Sequence, residues 1–270
     1  MLSFRPLADL ALAAGAVILD VYGTAFAVEN KADASPVTEA DRQAEAVILK
    51  GLAALHPDIP VIAEEESAAG RQAEIGERFF LVDPLDGTRE FVSRNGEFTV
   101  NIALIENGAP VCGVVYAPAL GRLYGGGRGE GAFAASVTDG RPGPFAPITA
   151  RPRPAGALAV VGSRSHGSAE TARFLAAISD ATFLSVGSSL KFCLLAEGRA
   201  DVYPRHGRTM EWDTAAGDAV LRAAGGHVVT FDGKPLAYGK RRQAADVDFA
   251  NPHFLAVADP ALLQALLRNS

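Results

Sequence analysis

Residues 81–91 read LVDPLDGTREF. An apolar run ends at Asp83, a proline follows, then a second carboxylate at Asp86, then Gly87 and Thr88. A plain turn needs one Asp or one Gly. This one carries two acids, a proline, a glycine and a hydroxyl. Pro84 fixes the backbone, so Asp83 and Asp86 can face one point, and the Leu85 carbonyl can add an oxygen there. Gly87 permits close approach, and the amides of Gly87 and Thr88 can face a phosphate as a small anion nest. The plain alternative is an Asx-turn leading into a helix N-cap. Against it stand two further acid clusters, also at the ends of apolar segments or the starts of helices: Glu64-Glu65-Glu66 after PVIA, and Asp213 in WDTAAG.

Acids gathered in one place repel and raise each other's pKa. Hard divalent cations resolve that repulsion, and Mg²⁺ binds through a few carboxylates plus substrate phosphate. Two such ions can activate a water, cradle the phosphate oxygens and stabilise the leaving oxygen. The chemistry this points to is metal-assisted hydrolysis of a phosphate ester.

The flanking chain supplies a frame. Residues 6–22 fit an amphipathic helix with Pro6 near its first turn. In SPVTEADRQAEAVILKGLAAL, Thr38 is an N-cap with Asp41 three residues on, and the apolar spacing runs to Leu55. PDIPVIAEEES reads as a short strand ending in the three glutamates, and RFFLVDPLDGT as a second strand ending in acids. FTVNIALIENGAPVCGVVYAP reads as a hairpin about Glu106-Asn107-Gly108. Glycine-rich turns then continue the sheet. Gly127, Gly129 and Ala132 match a dinucleotide-loop pattern, but no βαβ unit stands behind them, so turn glycines of a meander explain them better. Prolines and glycines cluster at 138–156, which predicts an N-terminal α+β half over 1–145 and a C-terminal α/β half over 146–270. In the latter, strands and helices alternate, HVVTFDGKPL reads as a strand pair, and the chain closes on a helix.

Composition narrows the function. A formal charge of −6 leaves no basic excess for a phosphate backbone, so a general nucleic-acid binder is excluded. Two distant cysteines, Cys112 and Cys193, and five scattered histidines form no zinc or disulfide framework. Hydrophobic content of 49% is ample for a substantial core. The apolar run at the N-terminus is too short to span a bilayer. A soluble cytoplasmic protein is expected, with peripheral attachment at the inner membrane surface and a homodimer both left open.

Taken together, EE after a strand, DPLDGT and WDTAAG resemble the signature set of the inositol monophosphatase-like, lithium-sensitive, Mg²⁺-dependent phosphatases, over nearly the whole chain. The resemblance implies a layered αβαβα sandwich, α+β in its first half and α/β in its second, with two or three Mg²⁺ in the site. It implies Glu64, Asp83, the Leu85 carbonyl, Asp86 and Asp213 as metal ligands. Gly87 and Thr88 would hold phosphate, and Thr88 with Asp41 would orient and deprotonate the attacking water, Glu64 acting beside them. The family has two glutamates where this chain has three. Counting from PVIA makes Glu64 the ligand and Glu65 a partner behind it; counting back from ESAAG makes Glu65 the ligand. Strand register favours Glu64, because a following loop can absorb an extra residue.

The ester is written elsewhere. VGSRSH at 161–166, Gly187-Ser188-Ser189 before a helix, Lys191, and Arg205 in VYPR form a basic, serine-rich set. Amides and hydroxyls at a helix start can bind an anion, and the two cations suit a second phosphate. Taken singly, Ser188 as an N-cap and Lys191, Arg205 and His166 as ordinary surface groups are the plain readings. Together they resemble the 3'(2'),5'-bisphosphate nucleotidases of the family. That implies 3'-phosphoadenosine 5'-phosphate as substrate, hydrolysed to AMP and phosphate by direct attack of an activated water. Ser165, His166, Ser188, Lys191 and Arg205 would face the nucleoside and its 5'-phosphate. An inositol monophosphatase or broad phosphatase, and a catalytically idle nucleotide sensor, are the alternatives.

Overall fold

In the computed structural model of the chain, residues 3–25, 27–30, 36–163, 169–178 and 180–268 are described. Helix α1 (Arg5–Tyr22) opens on Pro6 and buries Leu7, Ala11, Ala14 and Ile18, the spacing of one helical face. A short ladder of β1 (Glu29–Asn30) and β2 (Pro36–Val37) leads to α2 (Glu39–Leu55). As its sequence predicts, α2 starts at Thr38, whose side chain caps Ala40 N while Asp41 reaches back to Thr38 N. It buries Ala40, Ala44, Ile48 and Leu52 at four-residue intervals.

Strand β3 (Val61–Ala63) stops before the glutamates, which start a short helix, α3 (Glu64–Ala68). Three successive glutamates suit a helix's first turn, where unpaired N–H groups favour negative charge. Then follow β4 (Arg78–Asp86), α4 (Thr88–Val92), β5 (Thr99–Glu106) and β6 (Ala109–Ala117). The β5–β6 turn has φ of 51° at Asn107 and 74° at Gly108, the paired positive values of a tight hairpin. β7 (Arg122–Gly127), β8 (Gly131–Thr138), β9 (Arg141–Pro142) and β10 (Ala146–Ile148) complete the first sheet. Its order is β10-β8-β7-β6-β5-β4-β3, with β9 also on β8, and only the β3–β4 pairing is parallel. The glycines at 127 and 129 sit in the β7–β8 hairpin, as a meander requires.

The second sheet starts at β11 (Leu158–Ser163) and continues through α5 (Ala169–Ala176), β12 (Ala181–Val186), α6 (Leu190–Ala196) and β13 (Val202–Arg205). Then come α7 (Glu211–Ala223), β14 (His227–Thr230), β15 (Phe254–Val257) and α8 (Leu263–Leu267). The order is β12-β11-β13-β15-β14, parallel through β13 and antiparallel beyond. The expected partner for β14 within HVVTFDGKPL is reduced to a single bridge from Val229 to Pro235, since proline has no N–H for a ladder.

Side chains alternate along β4. Phe80 and Val82 join α1 and α2 in one core, while Phe79 and Leu81 join α6 and α7 in another. On the far side of the second sheet Phe174 of α5 and Leu266 of α8 meet Val160, Val202 and Leu255. The layers therefore run helices, sheet, helices, sheet, helices, the αβαβα sandwich expected. Among the described residues no helix is long and apolar enough to cross a membrane.

Candidate functional site

Asp83 continues the face of β4 that carries Phe79 and Leu81, so it points into the middle layer and is buried. Three residues on, Asp86 would point the other way in a regular strand. The ladder is irregular there: Asp83 lies opposite Asn101 and Asp86 opposite Thr99. Three steps on β4 thus match two on β5, a bulge that turns Asp86 onto the same face as Asp83. Leu85 N donates to Asp83 Oδ1 at 3.0 Å. The Asx-turn expected as the plain alternative is present within this bulge, and it fixes the Asp83 carboxylate. The Leu85 side chain is buried against α1 and α2, and its carbonyl lies 3.4 Å from Thr88 Oγ1.

Asp213 comes from the second half, in the first turn of α7, where Met210 N donates to its Oδ2 at 2.8 Å. Glu64 opens α3 and lines the same cleft as Asp86 and Asp213. Burial first, then the charges of Glu64, Asp86 and Asp213, holds the Asp83 carboxyl well above the usual carboxylate range. Burial, then Asp86 and Glu64, does the same to Asp213. Among the described residues no three His, Cys, Asp or Glu side chains are drawn together as an ion would hold them; the acids flank a cleft of about 240 Å³ with like charge instead. None of its described lining residues is His or Cys. An all-oxygen set of mutually repelling carboxylates, Asp83 buried and Glu64, Asp86 and Asp213 partly so, fits a hard divalent cation.

Thr88 is the first residue of α4, after Gly87 at φ 91°. A side chain at Gly87 would meet Glu97 O at 3.2 Å as well as being strained. Thr88 Oγ1 lies 3.4 Å from Asp41 Oδ1. The other oxygen of Asp41 accepts from Thr38 N at 2.7 Å and Thr38 Oγ1 at 2.8 Å. One carboxylate therefore caps α2 and reaches Thr88, joining residues 47 apart in sequence.

The basic set is only partly as expected. Ser165 and His166 lie outside the described residues. Ser188, Lys191 and Arg205 do line the cleft with the acids. The Gly187 amide, expected to be available to an anion, donates instead to Glu97 Oε2 at 2.7 Å. Ser188, at φ 55°, donates from Oγ to Asp86 Oδ2 at 2.6 Å, and Ser189 takes the N-cap position of α6. Lys191 is buried; its Nζ donates to the carbonyls of Val186 and Ser188 and sits 5.4 Å from the Tyr203 ring centre. Burial lowers its pKa to about 8, opposed by Asp86 and reinforced by Arg205. Arg205 donates to the carbonyls of Gly207 and Arg208 at 3.2 and 3.1 Å.

Several contributors escaped the sequence reading. Thr99 and Asn101 are polar positions on the face of β5 that otherwise carries Ala103 and Ile105. Asn101 Nδ2 donates to Ser189 Oγ at 3.0 Å, and that hydroxyl donates to Asp213 O at 2.6 Å. Thr99 and Ser188 bond through their hydroxyls. This chain stitches β5, the 187–189 turn and α7 together behind the acids. An asparagine inside TVNIALI was the available signal. Glu45, one helical turn after Asp41, is buried and accepts from Glu65 N at 2.8 Å and Glu66 N at 3.0 Å. Burial pushes its carboxyl up to about 7; the hydrogen bonds from the Glu65 and Glu66 amides oppose that rise, and the charges of the same two glutamates add to it.

The chain is similar to known proteins over most of its length. The sequence profile of the inositol monophosphatase family matches residues 4–263. The 3'(2'),5'-bisphosphate nucleotidase CysQ of Escherichia coli strain K12 is 47% identical over 255 residues, covering 91% of this chain and 96% of that protein. CysQ of Bacteroides thetaiotaomicron, whose crystal structure is described as that of a bacterial inositol monophosphatase family member, superposes with a TM-score of 0.75 at 36% identity. It covers 95% of this chain and 98% of its own. An inositol monophosphatase from Anabaena superposes with a TM-score of 0.75 at 27% identity, over 98% and 94% of the two chains. The profile runs from the start of the first helix to the first residue of the last, and so includes Asp41, Glu64, Asp83, Asp86 and Asp213: the chain belongs to the inositol monophosphatase family.

Proposed function

We propose that the protein is a Mg²⁺-dependent phosphoric monoester hydrolase that converts 3'-phosphoadenosine 5'-phosphate to AMP and phosphate. The observation that carries this reading is a cleft lined both by carboxylates from α3, β4 and α7 and by two buried cations, Lys191 and Arg205. A substrate with one phosphate for a metal held by the acids and a second for the cations suits such a lining. The 47% identity to a protein named a 3'(2'),5'-bisphosphate nucleotidase supports the same substrate class.

Glu64, Asp83, Asp86, Asp213 and the Leu85 carbonyl would hold the two or three Mg²⁺ that the family resemblance implies, which would supply positive charge for the phosphoryl, attacking and leaving oxygens. The chain's own groups do the positioning. Asp41, held by Thr38, directs the Thr88 hydroxyl proton toward itself and leaves the Thr88 oxygen to accept from the attacking water. Gly87 and Thr88, at the start of α4, face the transferred phosphoryl group. Ser188 holds Asp86 by a hydrogen bond to Oδ2. Displacement is direct, and no side chain becomes phosphorylated.

A second reading, a broad phosphatase that also accepts inositol phosphates, is favoured by one observation: Lys191 and Arg205 already spend donors on backbone carbonyls. Phosphate release from adenosine 3',5'-bisphosphate and inositol 1-phosphate, side by side with and without Mg²⁺, separates the two. The proposal expects strong preference for the bisphosphate and loss of release without metal; equal turnover selects the broad enzyme. Lys191→Ala and Arg205→Ala should raise KM for the bisphosphate about tenfold, the worth of one charged hydrogen bond. The same variants should leave KM for an ester lacking the 5'-phosphate nearly unchanged.

A further inference from the structure

We infer that Glu45 is a positioning residue, pinning the backbone of the Glu64-Glu65-Glu66 run so that Glu64 rather than Glu65 faces the cleft. The inference rests on the metal reading of the acids. Three consecutive glutamates leave their register open, because on a helix each step turns the side chain by about 100°. A small rotation of α3 would exchange one glutamate for the next. The first N–H groups of a helix have no partner within it, and here two of them are taken by one buried side chain. Glu45 Oε2 accepts from Glu65 N at 2.8 Å and Oε1 from Glu66 N at 3.0 Å. Glu64, just before them, lines the cleft; Glu65 and Glu66 do not, and Glu66 is bound outward to Arg71 by two hydrogen bonds.

The choice of residue is expensive for a mere cap. A carboxylate beside two more carboxylates repels them, and a Ser, Thr, Asn or Asp just before α3 would cap it locally. Ala63 holds that position and makes no side-chain cap. What a distant carboxylate adds is a fixed distance. Asp41 and Glu45 lie one turn apart on α2, and Asp41 reaches Thr88. A single helix therefore sets the spacing between the hydroxyl that orients the water and the segment that carries Glu64. Two acceptors are required. A glutamine would offer one oxygen and turn its NH₂ against the second N–H.

Calorimetric titration with Mg²⁺ alone tests this on wild type, Glu64→Gln, Glu45→Gln and Glu45→Asp, with melting in EDTA measured in parallel. Glu45→Gln should bind Mg²⁺ about tenfold more weakly, as losing a partner behind a metal ligand does, while still melting cooperatively in EDTA. A merely structural role would lower the melting temperature in EDTA and leave the affinity of the folded protein unchanged, and that result overturns the inference. Should Glu45→Gln fail to fold, Glu45→Asp decides, since its shorter side chain keeps the charge but not the reach: weaker binding upholds the role, unchanged binding overturns it. If wild type binds no Mg²⁺, or Glu64→Gln binds as tightly as wild type, the metal reading falls and this inference with it.

Discussion

Three acids of the site each commit one oxygen to a structural bond: Asp213 to Met210 N, Asp41 to Thr38 N and Asp83 to Leu85 N. The neighbouring glutamates are unequal, because Glu64 lines the cleft and Glu65 does not. Glu64→Gln should lower Mg²⁺-dependent phosphate release about a hundredfold or more, the loss expected when a ligand worth several kcal/mol is removed. Glu65→Gln should cost far less; steady-state assays at saturating Mg²⁺ make the comparison, and equal losses would put the ligand assignment in error. Lys191 carries a different signature. Its ammonium is shifted down to about 8 from 10.5 by burial. Below pH 8 it is protonated in both states and the folded protein bears the full cost. Between 8 and 10.5 the unfolded chain holds the proton and the folded one does not, so stability rises with pH. The rise from this residue is about 3 kcal/mol, and metal-free urea melts of Lys191→Met should lack it.

At the scale of elements, α7 is the hinge of the arrangement. It packs directly on the first sheet through Gly113 of β6: a side chain there would come within 2.7 Å of Ala216 O and 2.8 Å of Ala219 Cβ. Gly113→Ala should therefore push α7 away from the sheet, costing about 1–3 kcal/mol as overpacking does. Because Asp213 sits in the first turn of α7, kcat should fall along with stability. Denaturant melts and kinetics on one preparation check both, and an unchanged kcat in a destabilised protein would detach α7's seating from the chemistry. Helices α1 and α2 were legible at this scale because their apolar spacing and the Thr38 cap are local. The β4 bulge was not. DPLD announces a turn, but whether Asp86 shares a face with Asp83 depends on Asn101 and Thr99 across the ladder. The three glutamates misread as a strand end because local apolarity stops at Ala63 while their helical start depends on Glu45 from another helix.

The whole molecule brings a sheet of the first half against a helix of the second and buries like charges where they meet. Asp83 and Asp213 stand in that middle layer with their ionised forms disfavoured by burial and by each other's neighbours. Stability is given up there for the sake of the site. In EDTA, Asp213→Asn should therefore melt higher than wild type, since the amide can still accept from Met210 N without the charge. With Mg²⁺ present the order should reverse, because only wild type gains the linkage stabilisation of a bound ion. Scanning calorimetry in both buffers reads the crossing; a variant that melts lower in both would mean the charge is already compensated within the chain.

Taken alone, the amino-acid order determined the main helices and the hairpin, because periodicity, caps and turn residues act over a few positions, and its acid clusters pointed to a hard cation. The layered class, and Asp41, Thr88, Glu64, Asp83, Asp86 and Asp213 as site residues, came from the resemblance of its motifs to the family. Tertiary structure alone decided how these meet. The bulge opposite Asn101 re-aimed Asp86, Glu45 took the amides of Glu65 and Glu66, and the 187–189 turn committed Ser188 to Asp86. Each of those is a contact between residues far apart in the chain. Its partner is chosen by which faces the layers press together, and no local pattern records that choice.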